Sequence, residues 1–323
     1  MNTQSMSIPL RFPSREQMSR GLDAGGVSDL MVGGIDVHIH TNPHVFPLSH
    51  SQDVIALAQD AHAAGMRALV IKDIGTSTTG TAYVASRLGA GIPIFGAHVM
   101  NLASGGVNPR AVWVALTHGD GAKVIHFPTG DSRNHYEYRK RFYAGVNLPL
   151  SEEEAITVVK DGKLIPEVRE VISLVKEFDA CLATCHLSAE ESHHVVREAK
   201  DQGLKRIIVS HSQWAMTGLK MSDLKTFAEL GCQIEFDFGL MMPFMHFVHG
   251  EPTKNPRDVA AAMKDIGIEH CFMSSDLGQL YSPVPVEGMR SYIAILLKVG
   301  ITPEEIRTMF HRNPAKIIGF EEW

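Results

Sequence analysis

The feature that most constrains the fold is a repeated alternation of short apolar segments with segments of helical periodicity. Runs such as residues 68–71 (Ala-Leu-Val-Ile) are typical of strands buried on both faces of a parallel sheet. Eight such strands are predicted, at residues 35–40, 66–73, 92–99, 123–127, 181–186, 206–211, 233–238 and 270–275. Because helical segments separate them, the sequence predicts one α/β domain folded as a (β/α)8 TIM barrel.

Two regions lie outside this alternation. Residues 1–33 contain a predicted short helix at 14–22 and are interpreted as an N-terminal extension, either a cap or a contact between subunits. Residues 129–162, rich in charged and aromatic side chains, are interpreted as an insertion after the fourth strand. The predicted organisation is therefore an extension at 1–33 and a barrel at 34–323.

Charge and composition limit the kinds of molecule that the protein is expected to bind. The net charge of −6 gives no reason to expect nucleic acid or an anionic membrane, which require clustered positive charge. No apolar run reaches the ~18–20 residues of a spanning helix, and the N-terminus lacks the basic and apolar parts of a secretory signal. The four cysteines lie in apolar segments, as expected of reduced, buried thiols. We therefore expect a cytoplasmic protein with a small-molecule substrate that forms a homo-oligomer.

The first predicted strand carries the motif His38-Ile39-His40. Residues two apart in a strand point to the same side, so both imidazoles are expected to face one space while Ile35, Val37 and Ile39 face the other. Such a pair suggests a metal site held on a rigid strand. Two histidines that only make hydrogen bonds are the alternative.

Other predicted strands also end in polar side chains. The carboxyl ends of all strands in a (β/α)8 barrel meet at one rim, where these enzymes carry their active sites. The residues concerned are Lys72, Asp73, His98, Asn101, His126, His186, His211, Glu235, Asp237, Ser274, Ser275 and Asp276. An ionisable group or metal ligand at the end of every strand indicates an active site at this rim.

This arrangement resembles the amidohydrolase superfamily of metal-dependent hydrolases, and in particular one of its poorly characterised branches. The resemblance extends from about residue 34 to 320 and includes an Asn-Pro-Ala stretch near the C-terminus. It rests on Gly34-Ile35-Asp36-Val37-His38-Ile39-His40, on His186 and His211 after the fifth and sixth strands, on Asp276 after the eighth, and on Asn313-Pro314-Ala315.

The resemblance implies a divalent metal bound by His38, His40, His186 and Asp276, with His211 as a further ligand or a catalytic residue. Zinc is favoured, and manganese, iron(II) and nickel also suit imidazole and carboxylate ligands. The fourth strand departs from the pattern, because His126 stands where members with two metals place a carboxylated lysine or a glutamate. Lys72 is therefore either carboxylated and bridges two metals, or remains cationic and binds the substrate. The second role is favoured.

These residues predict a hydrolase that uses metal-activated water on an amide, cyclic amide, lactone or ester. Asp276 is expected to transfer the proton, and His211 or Lys72 to stabilise the oxyanion. Substrate contacts are expected from Lys72, His126, Arg133 and His135. The alternative is a metal-dependent decarboxylase of a small aromatic acid, which uses similar ligands without a bridging group on the fourth strand. A catalytically silent binding barrel is disfavoured because all five metal positions are present.

Overall fold

Eight parallel strands surround a common axis in the order in which they occur in the chain. The computed structural model describes residues 26–44, 49–89, 91–142, 150–244 and 250–320. The barrel strands are β1 (Ile35–His40), β2 (Ala68–Lys72), β3 (Ile94–Val99), β4 (Ala122–His126), β7 (Cys181–Ala183), β8 (Ile207–Val209), β9 (Gln233–Asp237) and β10 (Cys271–Ser274). The ends of the sheet meet where the Asp276 N–H donates to the His38 carbonyl (2.9 Å) and the His40 N–H to the Leu277 carbonyl (2.8 Å).

Helices connect these strands and cover the outside of the barrel. They are α1 (Val27–Met31), α2 (Val54–Ala63), α3 (Thr79–Arg87), α4 (Pro109–Thr117), α5 (Arg133–Phe142), α6 (Pro166–Glu177), α7 (Ala189–Asp201), α8 (Met221–Glu229), α9 (Pro256–Ile266), α10 (Pro285–Lys298), α11 (Pro303–Arg307) and α12 (Asn313–Ile317). Side-chain caps fix several starts. Asp53 accepts from two backbone N–H groups of α2, and Ser188 and Glu191 form a capping box on α7.

The predicted (β/α)8 barrel is confirmed, with local differences. The fifth predicted strand ends at Ala183 instead of residue 186, because Cys185 has φ +49° and leaves the extended conformation. A π-helical turn, Thr308–Arg312, joins α11 to α12. The predicted insertion contains α5 and β5 (Val159–Lys160), which pairs with β6 (Lys163–Leu164) just beyond its end.

The barrel interior is apolar at its amino end and polar at its carboxyl end. Ala68 and Val70 of β2 pack with Ala315 and Ile317 of α12 in one inner cluster, and the next inward residue of β2 is Lys72. A separate, larger cluster lies between the strands and the outer helices. The rim therefore stands above a packed floor that excludes water from below.

A β-bulge in β1 changes which residues face the interior. The register against β2 shifts between Asp36 and Ile39, and Ile35 and Val37 pack in the inner cluster while Ile39 packs in the outer one. The prediction that these three residues share the outer face was therefore wrong. A bulge adds one residue to a strand and resets its alternation, so Val37 and His38 can both contribute to the interior.

The N-terminal segment is described only from residue 26. Helix α1 buries Leu30 and Met31, and His311 Nε2 lies 2.7 Å from the Leu30 carbonyl. The helix predicted at residues 14–22 lies outside the described residues, and the domain boundary at residue 33 stays a prediction. All four cysteines are buried free thiols, as predicted. Within the described segments, no helix is long and apolar enough to cross a membrane.

Candidate metal site

Two histidines of β1 converge on one carboxylate at the rim. His38 Nε2 lies 3.1 Å and His40 Nε2 3.2 Å from the same oxygen, Asp276 Oδ1. All three side chains are buried. Burial opposes ionisation of Asp276, but His38 and His40 hold its pKa well below the ordinary value. Burial also lowers the pKa of His40 to about 4. At neutral pH Asp276 is therefore a carboxylate and His40 a neutral imidazole, the forms that bind metals.

A buried carboxylate fixes the other side of His38. Its Nδ1 lies 2.6 Å from Glu235 Oε1, which also accepts a hydrogen bond from the Ser274 hydroxyl (2.8 Å). Burial and Lys72 lower the pKa of His38, whereas Asp276 and Glu235 outweigh them and raise it to about 10. These two carboxylates favour the protonated imidazole, so a metal would bind His38 only by displacing the proton of Nε2, the nitrogen that does not face Glu235.

His211 belongs to the same group. One ligand atom each from His38, His211 and Asp276 lies within 4.8 Å of the others. His211 Nδ1 lies 3.4 Å from Asp237 Oδ2, which also accepts a hydrogen bond from the Trp214 indole (3.1 Å). Its Nε2 is buried without a hydrogen-bond partner among the described residues. An orphaned buried nitrogen is costly in a protein interior, and a bound metal would remove that cost.

Backbone strain is concentrated at this rim. Cys185, His211 and Asp276 have φ of 49°, 51° and 50°, and each lies just beyond the end of its barrel strand. A residue with a side chain pays roughly 1–3 kcal/mol for such a conformation, so it persists only where the surrounding structure enforces it. Here it turns side chains inward at the point where the strands end.

His186 lies beside His211, and their ring centroids are 5.0 Å apart. Its Nδ1 is 2.6 Å from His135 Nδ1, and the two rings stack. The Ser132 hydroxyl donates to the His186 carbonyl (3.1 Å). The insertion after β4 therefore positions His186, and His135 holds its Nδ1. The ligand atoms within 4.8 Å of one another come from His38, His211 and Asp276 and do not include His186.

Lys72 ends β2 in the middle of the site. Its Nζ lies 3.0 Å from His38 Nε2 and 3.8 Å from Cys185 Sγ. Among the described residues, no carboxylate oxygen forms an ion pair with it. Burial raises the pKa of the Cys185 thiol to about 11, so this sulfur stays protonated and faces His126 Nδ1 at 3.2 Å. The lysine therefore lies beside His38 and is paired with no carboxylate among the described residues.

A cavity of about 420 Å³ opens above these residues. Lys72, His135, His186, His211 and Asp276 line it, together with the apolar side chains of Trp214, Leu280 and Tyr281. Arg139 also lines it and was missed by the sequence analysis. Arg133 lies elsewhere, paired with Glu137 and Glu152, and His126 is buried below the cavity. The structure thus places one predicted substrate residue at the cavity wall beside Lys72, namely His135.

Gly278 allows the loop after β10 to lie against β1. Its φ is +135°, and a Cβ there would overlap the carbonyl oxygen of His40. We expect Gly278→Ala to lower the free energy of unfolding by about 3 kcal/mol or more, and to displace Asp276 from His40.

Urea denaturation measures this effect. Gly162→Ala is the matched control, because Gly162 also has a positive φ (+71°) but nothing within 4 Å of its added Cβ. It should cost only about 1–2 kcal/mol. Equal losses in the two variants would show that the contact with His40 does not constrain the loop.

Solved structures of three other proteins share this fold. An amidohydrolase from Pseudomonas aeruginosa aligns with a TM-score of 0.55 and 12% identity, over 90% of this chain and 98% of that one. A TatD homologue from Escherichia coli aligns at 0.54 and 15%, over 89% and 98%. A variant of the organophosphorus hydrolase from Deinococcus radiodurans aligns at 0.55 and 16%, over 91% and 94%. The predicted resemblance to this superfamily is thus confirmed at the level of the fold.

The sequence comparisons add a family assignment. None of the curated proteins matches the sequence of this chain. Residues 33–235 match the model of DUF6282, described as a family of unknown function. This segment begins just before β1 and includes His38, His40, Lys72, His186 and His211. Since the match extends over more than half of the sequence, the chain belongs to the DUF6282 family.

Proposed function

We propose that this protein is a metal-dependent hydrolase that cleaves an amide, cyclic amide, lactone or ester bond of a small molecule. The observation that carries the proposal is the convergence of His38 Nε2 and His40 Nε2 on Asp276 Oδ1 at 3.1 and 3.2 Å. Nitrogen and oxygen atoms at this separation have the spacing of neighbouring ligands around one ion.

The residues present fit a divalent transition metal. His38, His40, His186, His211 and Asp276 would hold it, since Glu235, Asp237 and His135 engage the other nitrogens of three of these imidazoles. The orphaned Nε2 of His211 fits the same role. Neutral imidazoles with one carboxylate suit zinc, and also manganese, iron(II) and nickel.

When bound, such a metal lowers the pKa of water toward ~7 and makes hydroxide available at neutral pH. Asp276 is the general base in this proposal, because its carboxylate is ionised and lines the cavity. It takes the proton from water and returns it to the leaving group. Lys72 or His211 stabilises the negative charge that develops on the attacked carbonyl oxygen, inside a cavity with a low dielectric constant.

Substrate contacts are assigned to side chains at the cavity. Lys72, His135 and Arg139 line it opposite apolar surface, which suits a small molecule with an anionic and an apolar part. His126 and Arg133, which the sequence also proposed, would need a rearrangement to reach a ligand there, because His126 lies beneath the cavity and Arg133 pairs with glutamates.

The fourth barrel strand favours one alternative function. β4 ends in His126, whose Nδ1 faces a protonated thiol, so no bridging carboxylate stands at the end of this strand. A metal-dependent decarboxylase works with a single ion and releases carbon dioxide without consuming water. The two cations at the cavity, Lys72 and Arg139, would suit its carboxylic acid substrate equally well.

The test combines metal content with a substrate panel. We expect elemental analysis to find at least one transition metal per chain, and fewer in His186→Ala. Hydrolysis of one panel member should stop on chelation, return on addition of metal, and transfer ¹⁸O from labelled water into the product. Release of carbon dioxide from an aromatic acid without ¹⁸O uptake would identify the decarboxylase. Absence of bound metal, with none taken up on addition, would contradict both functions.

A further inference from the structure

A second group of imidazoles lies on the cavity wall and shares His40 with the residues around Asp276. One nitrogen each from His40, His44 and His50 lies within 4.8 Å of the others. We propose that His40, His44 and His50 form a second binding site for a divalent transition metal. All three line the same cavity as Asp276.

The backbone of His50 is held in place by contacts from two directions. The Asn42 side chain donates to the His50 carbonyl (2.9 Å) and accepts from the His50 N–H (3.3 Å). His50 also forms a β-bridge with Gln279, and the next N–H, of Ser51, donates to the Gly278 carbonyl (2.8 Å). His50 is therefore fixed to β1 and to the loop that carries Asp276, as a metal ligand must be.

A carboxylate lies near His44. Asp73 Oδ1 accepts hydrogen bonds from the N–H groups of Gly75 and Thr76, while its Oδ2 lies 3.9 Å from His44 Nε2. The His44 ring lies beside the His50 ring, with centroids 4.0 Å apart. At 3.9 Å the contact with Asp73 is electrostatic and not a hydrogen bond, so this carboxylate adds negative charge beside a ring that would bind a cation.

His40 connects the two groups. Its Nε2 faces Asp276, and its Nδ1 is buried without a hydrogen-bond partner among the described residues. Because imidazole has two nitrogens, one ring could serve both sites if it released its single N–H proton to solvent. Each site should then be lost in a different variant. His38→Ala should remove the ion beside Asp276, and His50→Gln should remove the ion beside His44. His40→Ala should weaken both sites.

The donor set limits the metal and the ligand it would take. Three imidazoles with neither thiolate nor carboxylate in the group suit Zn²⁺, Cu²⁺ and Ni²⁺, and disfavour Mg²⁺ and Ca²⁺, which prefer oxygen. An ion at this wall would present positive charge to the cavity, where it can bind an anionic group of the substrate. The proposal concerns metal binding and does not depend on the bond that the enzyme cleaves.

Metal titration tests the site. The full chain is stripped with a chelator and titrated with Zn²⁺ by calorimetry, and bound zinc is counted after dialysis. We expect His44→Gln and His50→Gln to bind one zinc fewer per chain than the unmodified protein. Glutamine retains hydrogen-bonding capacity but supplies no imidazole nitrogen. The matched control is His194→Gln, since His194 lies on α7 outside both groups, and it should keep the full stoichiometry.

Electron paramagnetic resonance of the unmodified protein provides a second measurement that needs no substitution. The first equivalent of Cu²⁺ should give the spectrum of an isolated ion, and the second should change or quench it, because two Cu²⁺ ions joined by the His40 ring couple magnetically. Unchanged zinc stoichiometry in His44→Gln and His50→Gln, or a second equivalent of Cu²⁺ that leaves the spectrum of the first unaltered, would overturn the second site. If His44→Gln and His50→Gln still bind one zinc, and His38→Ala loses that zinc, the proposed hydrolase site stands whether or not the second site exists. Absence of any bound metal would contradict both.

Discussion

Replacing Asp276 with asparagine is expected to lower kcat by about 10²–10⁴-fold, the usual contribution of a positioned general base. The asparagine amide fills the same volume but carries no charge and accepts no proton. In the native protein Asp276 Oδ1 is the common partner of His38 Nε2 and His40 Nε2, so the loss of charge also weakens the metal site. Turnover is measured on the panel substrate with saturating metal, which separates the loss of the base from the loss of the ion.

Asp131→Asn is the control for this variant. Asp131 lies in the loop after β4, and its side chain accepts a hydrogen bond from the Leu102 N–H (2.8 Å) without contacting the metal group. Its replacement should leave kcat near the native value. If Asp276→Asn kept more than about a tenth of the native kcat, another group would be the base, and His211, whose Nδ1 lies 3.9 Å from Asp276 Oδ2, would be the first candidate.

The barrel was predictable because its signal is local. A strand such as Ala68–Lys72, covered on both faces, must be apolar along its length, and the following helix must be apolar on one face only. The order of the strands follows from the handedness of parallel connections. The bulge in β1 had no such signal. It is stabilised by Asp36, whose Oδ1 accepts from the N–H groups of His38 and Ser275, and Ser275 is distant in sequence.

The convergence of His38, His211 and Asp276 was predictable for a related reason. Strand ends meet at one rim, so these three side chains were expected to lie close together once the barrel was inferred. The supporting contacts were not predictable, because no sequence pattern pairs Glu235 with His38 rather than with another rim residue.

The choice between Arg133 and Arg139 also required the structure. Both lie on α5, and residues six apart in a helix point about 120° apart, so the two side chains face different surroundings and Arg139 is the one that lines the cavity. Which one does so depends on the Asn134 amide, which donates to the carbonyls of His186 (3.1 Å) and Met216 (2.9 Å) and so fixes the helix against the barrel. These contacts join segments that are far apart in the chain.

Lys72→Met is expected to leave the metal content unchanged and to lower kcat/KM by about 10²–10³-fold, the typical effect of removing one oxyanion-stabilising group. The reason lies in the position of its ammonium, 3.0 Å from His38 Nε2. A dication held by His38 Nε2 would lie close to this ammonium and repel it. The ammonium would then move into the adjoining cavity, which Lys72 already lines.

The opposite outcome has an equally definite meaning. Repulsion is also relieved if Lys72 loses its charge by carboxylation and bridges two ions as a ligand, in which case Lys72→Met loses metal as well as activity. Lys123→Met is the control, because Lys123 is the second residue of β4, near the other end of the barrel, and its Nζ lies 5.3 Å from the Phe95 ring centroid. Metal content per chain in the two variants thus decides between a lysine that binds substrate and one that binds metal. If both variants retain their metal, Lys72 binds the substrate. If only Lys72→Met loses metal, and a short carboxylic acid added with the metal restores it, Lys72 is a metal ligand.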